Sequence, residues 1–257
     1  MDTATKPDRD HMLVLEKGLA VIECFDGKGA LTVSEVAALT GLSRAAARRC
    51  LLTLERLHYA RSDGKAYRLA PRVLRLGYAY LSESALPQLI QPVLDRVSAT
   101  LNESCSAAVL EDDEILYIAR AASAERVIAV DLRVGARLPA FCTSMGRVLL
   151  AAMPSAEAGA LLRAKPLPRR TPFTLTDPEA VLEEIGRVAE QGYSVVEQEL
   201  DHGLVSLAVP VIDAGGNVVA ALNLGMQAAR ATPERLLNQA LPHLLRAQAE
   251  LRPLLKG

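Results

Sequence analysis

Between Leu13 and Phe25 the apolar side chains Leu15, Leu19, Val21, Ile22 and Phe25 recur every three or four positions, which is one face of a helix. The run Asp26-Gly27-Lys28-Gly29 breaks that pattern. A short second helix is expected over Ser34–Thr40, with Thr32 placed to cap it and Glu35 three residues on. Gly41-Leu42 forms a tight turn, and Ser43 caps a third helix that reaches about His58. The buried face of this third helix is expected to be Ala47, Leu51, Leu54 and Leu57. Beyond it, alternating runs at Tyr59–Ser62 and Ala66–Leu69 flank Asp63-Gly64-Lys65, a hairpin signal. Three helices followed by a hairpin make a winged helix-turn-helix.

Pro71 suits the first turn of a connecting helix over 72–83. That helix is apolar on more than one side, through Val73, Leu74, Leu76, Tyr80 and Leu81, which suggests packing against a second copy of the chain. Pro87 marks the next boundary. Behind it the pattern is mixed. Helices are expected over 87–102, from Ser144 through Ala151, over 155–163, over 178–191 and over roughly 233–250. Strands are expected over 105–110, 114–120, 127–132, 194–199, 205–212 and 217–224, and a proline-punctuated loop over 166–178. The fold class is α+β. The expected organisation is a disordered tail over 1–12, a winged helix-turn-helix over 13–70, a linker helix over 71–85 and a larger domain over 86–257.

Half the residues are hydrophobic and 23% are charged, the balance of a globular chain. Trp is absent and aromatics are 4%, so aliphatic side chains must build the core. The net charge of −1 hides an asymmetry. Residues 1–82 carry 13 basic against 9 acidic side chains, and 83–257 carry 16 against 21. Within 43–75 the balance is 9 to 2. A basic lobe on an acidic body is what binding a phosphate backbone with one domain would require. The cysteines Cys24, Cys50, Cys105 and Cys142 are scattered, without metal-ligand spacing, and read as reduced thiols. No apolar run approaches the roughly 18–20 residues that span a bilayer. A cytoplasmic protein without membrane contact, metal or cofactor is expected.

The informative stretch is Gly41-Leu42-Ser43-Arg44-Ala45-Ala46-Ala47-Arg48-Arg49. At the start of a recognition helix, Ser43, Arg44, Ala45 and Ala46 would enter a major groove, with Arg48 one turn on from Arg44 and Arg49 beside it. Arginine can donate two bonds to guanine, and alanines allow close approach to thymine methyls. Arg61, Lys65 and Arg68 on the hairpin would track phosphates.

These blocks resemble the IclR family of bacterial transcriptional regulators over nearly the whole chain, from about Val14 to Leu251. The resemblance is carried by LEKGLAVIECF (15–25), LTVSEVAALTGLSRAAARRCLLTLERL (31–57), GARLPAFCTSMGRVLLA (135–151) and GYSVVEQELDHGLVSLAVPVIDAGGNVVAALNLG (192–225). LSRAAARR, LGYAYLSES and TSMGRVLLA are most similar to the branch that controls aromatic-acid catabolism. The resemblance implies a GAF-like sensor with a curved antiparallel sheet over 86–257, which binds an effector and oligomerises. It implies homodimers or tetramers, double-stranded promoter DNA and a small organic acid as partners, with RNA polymerase a further candidate. By motif position the effector contacts fall on Ser144, Met145, Ser206, Asn223 and Gly225. A further contact, acidic in some members, falls on Val196, where this chain departs from the pattern of those that sense small oxo-acids. The expected effector is accordingly a hydroxybenzoate, protocatechuate or a ring-cleavage product, with an aliphatic oxo-acid as the alternative.

Amides at the start of the helix near Ser144 could hold a carboxylate, while Ser206 and Asn223 add hydrogen bonds. Arg133 or Arg137 could neutralise an anion. Met145, Leu204 and Leu222 could face a ring, although strand alternation can turn Leu222 to the opposite side. Two other classes compete. An enzyme would need a nucleophile or acid–base pair, and Cys142 or the group Glu197, Glu199, Asp201 and His202 are the available candidates. No nucleophile elbow, phosphate loop or zinc-helix motif accompanies them. An adaptor would use the winged helix for protein contacts and have no salt-dependent affinity for DNA. Neither is preferred, and no catalytic residue is expected.

Overall fold

In the computed structural model, which describes residues 11–83, 85–123 and 132–255, the chain divides into two units, residues 1–83 and 84–257. The expected tail lies outside the described residues, apart from His11 and Met12.

Among its described residues the first unit opens with three helices, α1 (Leu13–Glu23), α2 (Val33–Thr40) and α3 (Arg44–Arg56). Local chemistry sets their ends. The Thr32 hydroxyl accepts from the Glu35 amide at 3.3 Å, while the Glu35 carboxylate accepts from the Thr32 amide at 2.7 Å. This reciprocal box satisfies two amides that the first turn of α2 leaves without helical partners. Gly41 closes α2 in the left-handed region, φ +68°, which a residue with a Cβ enters only at a cost. Two residues later the Ser43 hydroxyl accepts from Ala46, starting α3. β1 (Ala60–Ser62) and β2 (Tyr67–Leu69) form the hairpin. Its turn is fixed by the Asp63 carboxylate, which accepts from the amides of Lys65 and Ala66, each at 2.9 Å. Leu31 pairs with Tyr67 through two backbone bonds and ties the loop before α2 to the wing. Val21, Phe25, Val36, Ala47, Leu51 and Leu54 fill the core between these elements.

Two expectations fail here. Leu57 is exposed, because α3 ends at Arg56 and His58 turns into positive φ, so helical spacing no longer aims Leu57 inward. Leu15 and Leu19 are also exposed. α1 carries two apolar stripes, and the core takes only the one containing Val21.

Pro71–Val73 form a 3-10 turn that leads into α4 (Leu74–Glu83). In the second unit α5 (Ala85–Leu101) begins two residues before Pro87 instead of after it. Pro87 falls in the first turn, where an amide would have had no helical acceptor.

Among its described residues the second unit is built on a curved, antiparallel six-stranded sheet. In chain order its strands are β3 (Ser104–Glu111), β4 (Glu114–Ala121), β5 (Arg137–Pro139), β6 (Ser194–Glu197), β7 (Leu204–Ile212) and β8 (Val218–Gln227), arranged β5-β4-β3-β8-β7-β6. The strand expected over 127–132 lies, except for Leu132, outside the described residues. β5 was not expected, being too short to show alternation.

Alternation divides the sheet's side chains between two layers. One face, with Cys105, Val205, Leu207, Leu222 and Leu224, packs on α5 and on α9 (Leu241–Leu251). A π-helical segment, Glu234–Ala240, precedes α9, whose second residue, Pro242, has no amide proton to return to the preceding turn. The other face, with Ala108, Tyr117, Ala208 and Ala221, packs on α6 (Ser144–Ala151), while α7 (Ser155–Arg163) and α8 (Pro178–Gln191) extend that layer.

Candidate functional site

The first candidate surface is on α3 and the wing. Ser43, Arg44, Ala45, Arg48 and Arg49 are exposed on α3, and Ala46 is half-buried. Ala47, Leu51 and Leu54 on the opposite side are buried, so one helix presents a core face and a cationic face. On the wing Arg61, Lys65 and Arg68 are exposed. Arg61 and Arg68 are direct cross-strand partners on the open side of the hairpin. Like charges in that register repel one another. None of these six cations forms an ion pair among the described residues.

The second candidate is a cleft between the sheet and the start of α6, enclosing about 410 Å³ of empty space, part of it open to solvent. Its floor takes part of two rows of cross-strand partners. Ser206, Gly225 and Ser104 line it from the row Val196–Ser206–Gly225–Ser104, and Asn223, Ser106 and Arg120 from the row Ser194–Ala208–Asn223–Ser106–Arg120. Thr143, Ser144, Met145, Leu132 and Leu200 complete the lining, with Tyr117 and Leu204 from the strands.

α6 is held over this floor by three devices. The Thr143 hydroxyl caps the helix by accepting from Gly146 at 3.2 Å and donates to the Pro139 carbonyl at 3.1 Å. Gly146 lies so close to the preceding 3-10 turn, Ala140–Cys142, that a Cβ would sit 2.1 Å from the Ala140 carbonyl oxygen. Arg147 is buried. It donates from Nε to the Phe141 carbonyl and pairs with buried Glu199 at 2.7 Å. Glu199 also accepts from the Leu175 amide, while Thr171 and Thr174 donate to the carbonyls of Gln198 and Glu199. This network fixes the loop that carries Leu200.

Two polar groups in the cleft lack a partner among the described residues: the Ser144 hydroxyl, on a side chain 1% exposed, and the Asn223 carboxamide oxygen. Each is a buried hydrogen-bonding position left open, at a cost of about 1–3 kcal/mol.

Of the effector residues expected from sequence, Ser144, Met145, Ser206, Asn223 and Gly225 all line this cleft. Val196 continues one row and is buried, but it does not line the cleft. Leu222 points into the opposite layer. Arg133 and Arg137 do not reach the cleft. Arg133 is exposed, and Arg137 on β5 is committed to Glu111 and Glu114, which flank the β3–β4 turn. The charged residue that does line the cleft is Arg120, and Ser104, Ser106 and Tyr117 were missed with it.

Of the groups weighed for catalysis, Glu199 is ion-paired with Arg147, and the His202 ring meets Phe173 edge-on at 5.7 Å. Burial pushes the Cys142 thiol up to about 12, which keeps it from being a thiolate at neutral pH. Among the described residues no helix is long and apolar enough to cross a membrane.

Comparison with known proteins places this geometry. The family model for the bacterial transcriptional regulator IclR C-terminal domain matches residues 78–251, and that for the IclR helix-turn-helix domain matches residues 14–64. The chain is 51% identical over 245 residues to the Pca regulon regulatory protein of Pseudomonas putida, covering 95% of this chain and 84% of that one. It is 38% identical over 250 residues to the p-hydroxybenzoate hydroxylase transcriptional activator of Acinetobacter baylyi, covering 95% and 92%. A crystal structure of an IclR homolog complexed with 4-hydroxybenzoate, from Microbacterium hydrocarbonoxydans, superposes with a TM-score of 0.77 at 28% identity, covering 93% of this chain and 97% of that one.

Proposed function

Because the chain belongs to the IclR family of bacterial transcriptional regulators, we propose that it reads a promoter operator through α3 and the wing, under the control of a small aromatic acid bound in the cleft. The observation that carries the DNA-reading part is the uncompensated cationic surface. Arg44 and Arg48 lie one turn apart on one side of α3, and together with Ser43, Ala45 and Ala46 at its N-terminal end they reach base edges in the major groove. Arg49, Arg61, Lys65 and Arg68 meet phosphates, which relieves the repulsion between Arg61 and Arg68. An adaptor surface would have no use for so many unpaired cations.

The cleft is the effector site in this reading. Ser144, Ser206 and Asn223 offer hydrogen bonds, and Met145, Leu132 and Leu204 offer apolar surface for a ring. The names of the relatives favour a hydroxybenzoate or a related acid over an aliphatic oxo-acid. The chain acts as a homodimer or a pair of dimers. Leu13, Val14 and Leu15 on α1 and Leu74 and Tyr78 on α4 are exposed apolar side chains, and a second copy would cover them.

The test is fluorescence anisotropy with a duplex from the region upstream of the chain's own gene, against a scrambled duplex, at two salt concentrations. With roughly 6–10 phosphate contacts, affinity should fall about 10³- to 10⁵-fold between about 50 and 200 mM salt, with the natural duplex preferred throughout. Equal affinity for both duplexes would refute operator reading. A thermal-shift screen of aromatic acids tests the effector class.

A further inference from the structure

We propose that Arg120 is the anchor for the effector's carboxylate, and so the residue that makes the sensor select an acid over its neutral analogues. This rests on the reading of the cleft as the effector site.

Arg120 is the one charged side chain among the described residues that line the cleft. It gets there through an irregularity. Alternation along β4 would send residues 117 and 120 to opposite faces, since their separation is odd. The pairing of β3 with β4 steps from Ala108↔Tyr117 to Ala107↔Ala119, which leaves Ile118 as an extra residue. Beyond that bulge the side-chain order is reset, and Arg120 shares the cleft face with Tyr117 and with its own partner, Ser106. The strand is pinned at that point from α5. The Gln91 side chain donates to the Arg120 carbonyl at 3.1 Å and accepts from its amide at 3.3 Å. The guanidinium therefore occupies a defined place on the floor, where Nη1 donates to the Ser106 hydroxyl at 3.1 Å.

What Arg120 lacks among the described residues is an anion. Elsewhere in the same unit buried Glu103 and buried Arg147 have counter-ions, while buried Asp213 is held by hydrogen bonds from Asn217. Glu103 meets Arg230 and Arg235, and Arg147 meets Glu199. Half-buried Arg120 forms no ion pair among the described residues, and Ser106 is its one hydrogen-bond acceptor there. A guanidinium carries five N–H donors in a planar fork that fits a carboxylate with two parallel bonds. Asn223 is the cross-strand partner of Ser106 on the other side, and its unpartnered carboxamide oxygen, an acceptor, adjoins the same point and suits a donor such as a ligand hydroxyl rather than the carboxylate. The ligand supplies the missing negative charge. Ser144, unpartnered at the start of α6, is left to meet another polar group of the same molecule.

The experiment titrates the full chain, R120Q and R120K calorimetrically with 4-hydroxybenzoate, 3,4-dihydroxybenzoate and pyruvate, and with the carboxamide of each aromatic acid. The natural protein should bind at least one acid and prefer it to its carboxamide. In R120Q the affinity for that acid should fall about 10- to 100-fold. The carboxamide should hold within about threefold, so that the preference collapses. R120K, which keeps the charge and loses the fork, should fall between the two. Melting curves report folding, and if R120Q fails to fold, a narrowed acid-to-carboxamide ratio in R120K carries the same expectation. An unchanged ratio in the folded variants overturns the anchor and leaves the cleft as the effector site. Failure of every acid to bind the natural protein overturns the effector reading and the anchor with it.

Discussion

The cationic face of α3 and the cleft beneath α6 both present polar groups without partners, under opposite conditions. Arg44, Arg48 and the wing cations stand in water, which solvates them already, so leaving them unpaired costs the fold little. The Ser144 hydroxyl and the Asn223 oxygen are recessed in the lining of the cleft without a partner among the described residues, where an unmade hydrogen bond costs more than it does in bulk water. The contrast shows what each region is made to meet. The exposed surface gains by releasing counterions from a long polyanion, so its affinity follows salt. The cleft gains by pairing these recessed groups, so its affinity follows the shape and donor pattern of one small molecule, largely independent of salt.

The largest effect should come from breaking the support of the cleft. Arg147→Met leaves Glu199 buried and unpaired, and should cost the sensor about 3–5 kcal/mol in denaturant unfolding. Adding Glu199→Leu should recover most of that loss. A single variant as stable as the double would mean that the pair does not hold α6.

A smaller effect is expected on the exposed side. Arg61→Ala should weaken binding to all duplexes alike and lower the salt slope by about one, as befits a phosphate contact. A change in sequence preference instead would move Arg61 to a base edge. Ser43→Ala should destabilise the first unit by about 1 kcal/mol through loss of the cap on Ala46, read as a shift in its melting curve.

The smallest concerns pH. Hydrogen bonds from the Thr32 amide, and then from its hydroxyl, hold the Glu35 carboxyl below the usual carboxylate range. With the folded value depressed, this contribution is present above the unfolded carboxyl's range and fades as pH falls through the folded value. Glu35→Gln, which removes the titrating group, should flatten the acid side of the first unit's melting profile. An unchanged slope would remove Glu35 from the account.

The two regions also differed in how far they could be read from sequence. Caps and turns such as Thr32–Glu35, Gly41–Ser43 and Asp63–Gly64 were legible because their chemistry is complete within a few residues. The exposed arginines followed from the same helix, since a face opposite Ala47 and Leu51 must point outward. Which of the two apolar stripes on α1 enters the core could not be read, because that choice belongs to the packing of α2 and α3. In the cleft, Ser144, Met145, Ser206, Asn223 and Gly225 were reached by motif position, whereas Arg120 was hidden by the extra residue at Ile118. Arg133 and Arg137 attracted attention as nearby cations, but nothing local revealed that Glu111 and Glu114 already hold Arg137.

The division of labour between the two regions is tested most directly by a crossed measurement on two double variants. Promoter affinity by anisotropy and acid affinity by calorimetry would be recorded for Arg44→Ala with Arg48→Ala, and for Ser206→Leu with Asn223→Leu. The first pair should lose specific promoter binding, by about 1–3 kcal/mol per arginine, and keep its acid affinity. The second should lose the acid and keep the promoter. Equal loss of both activities in both folded variants would contradict the account.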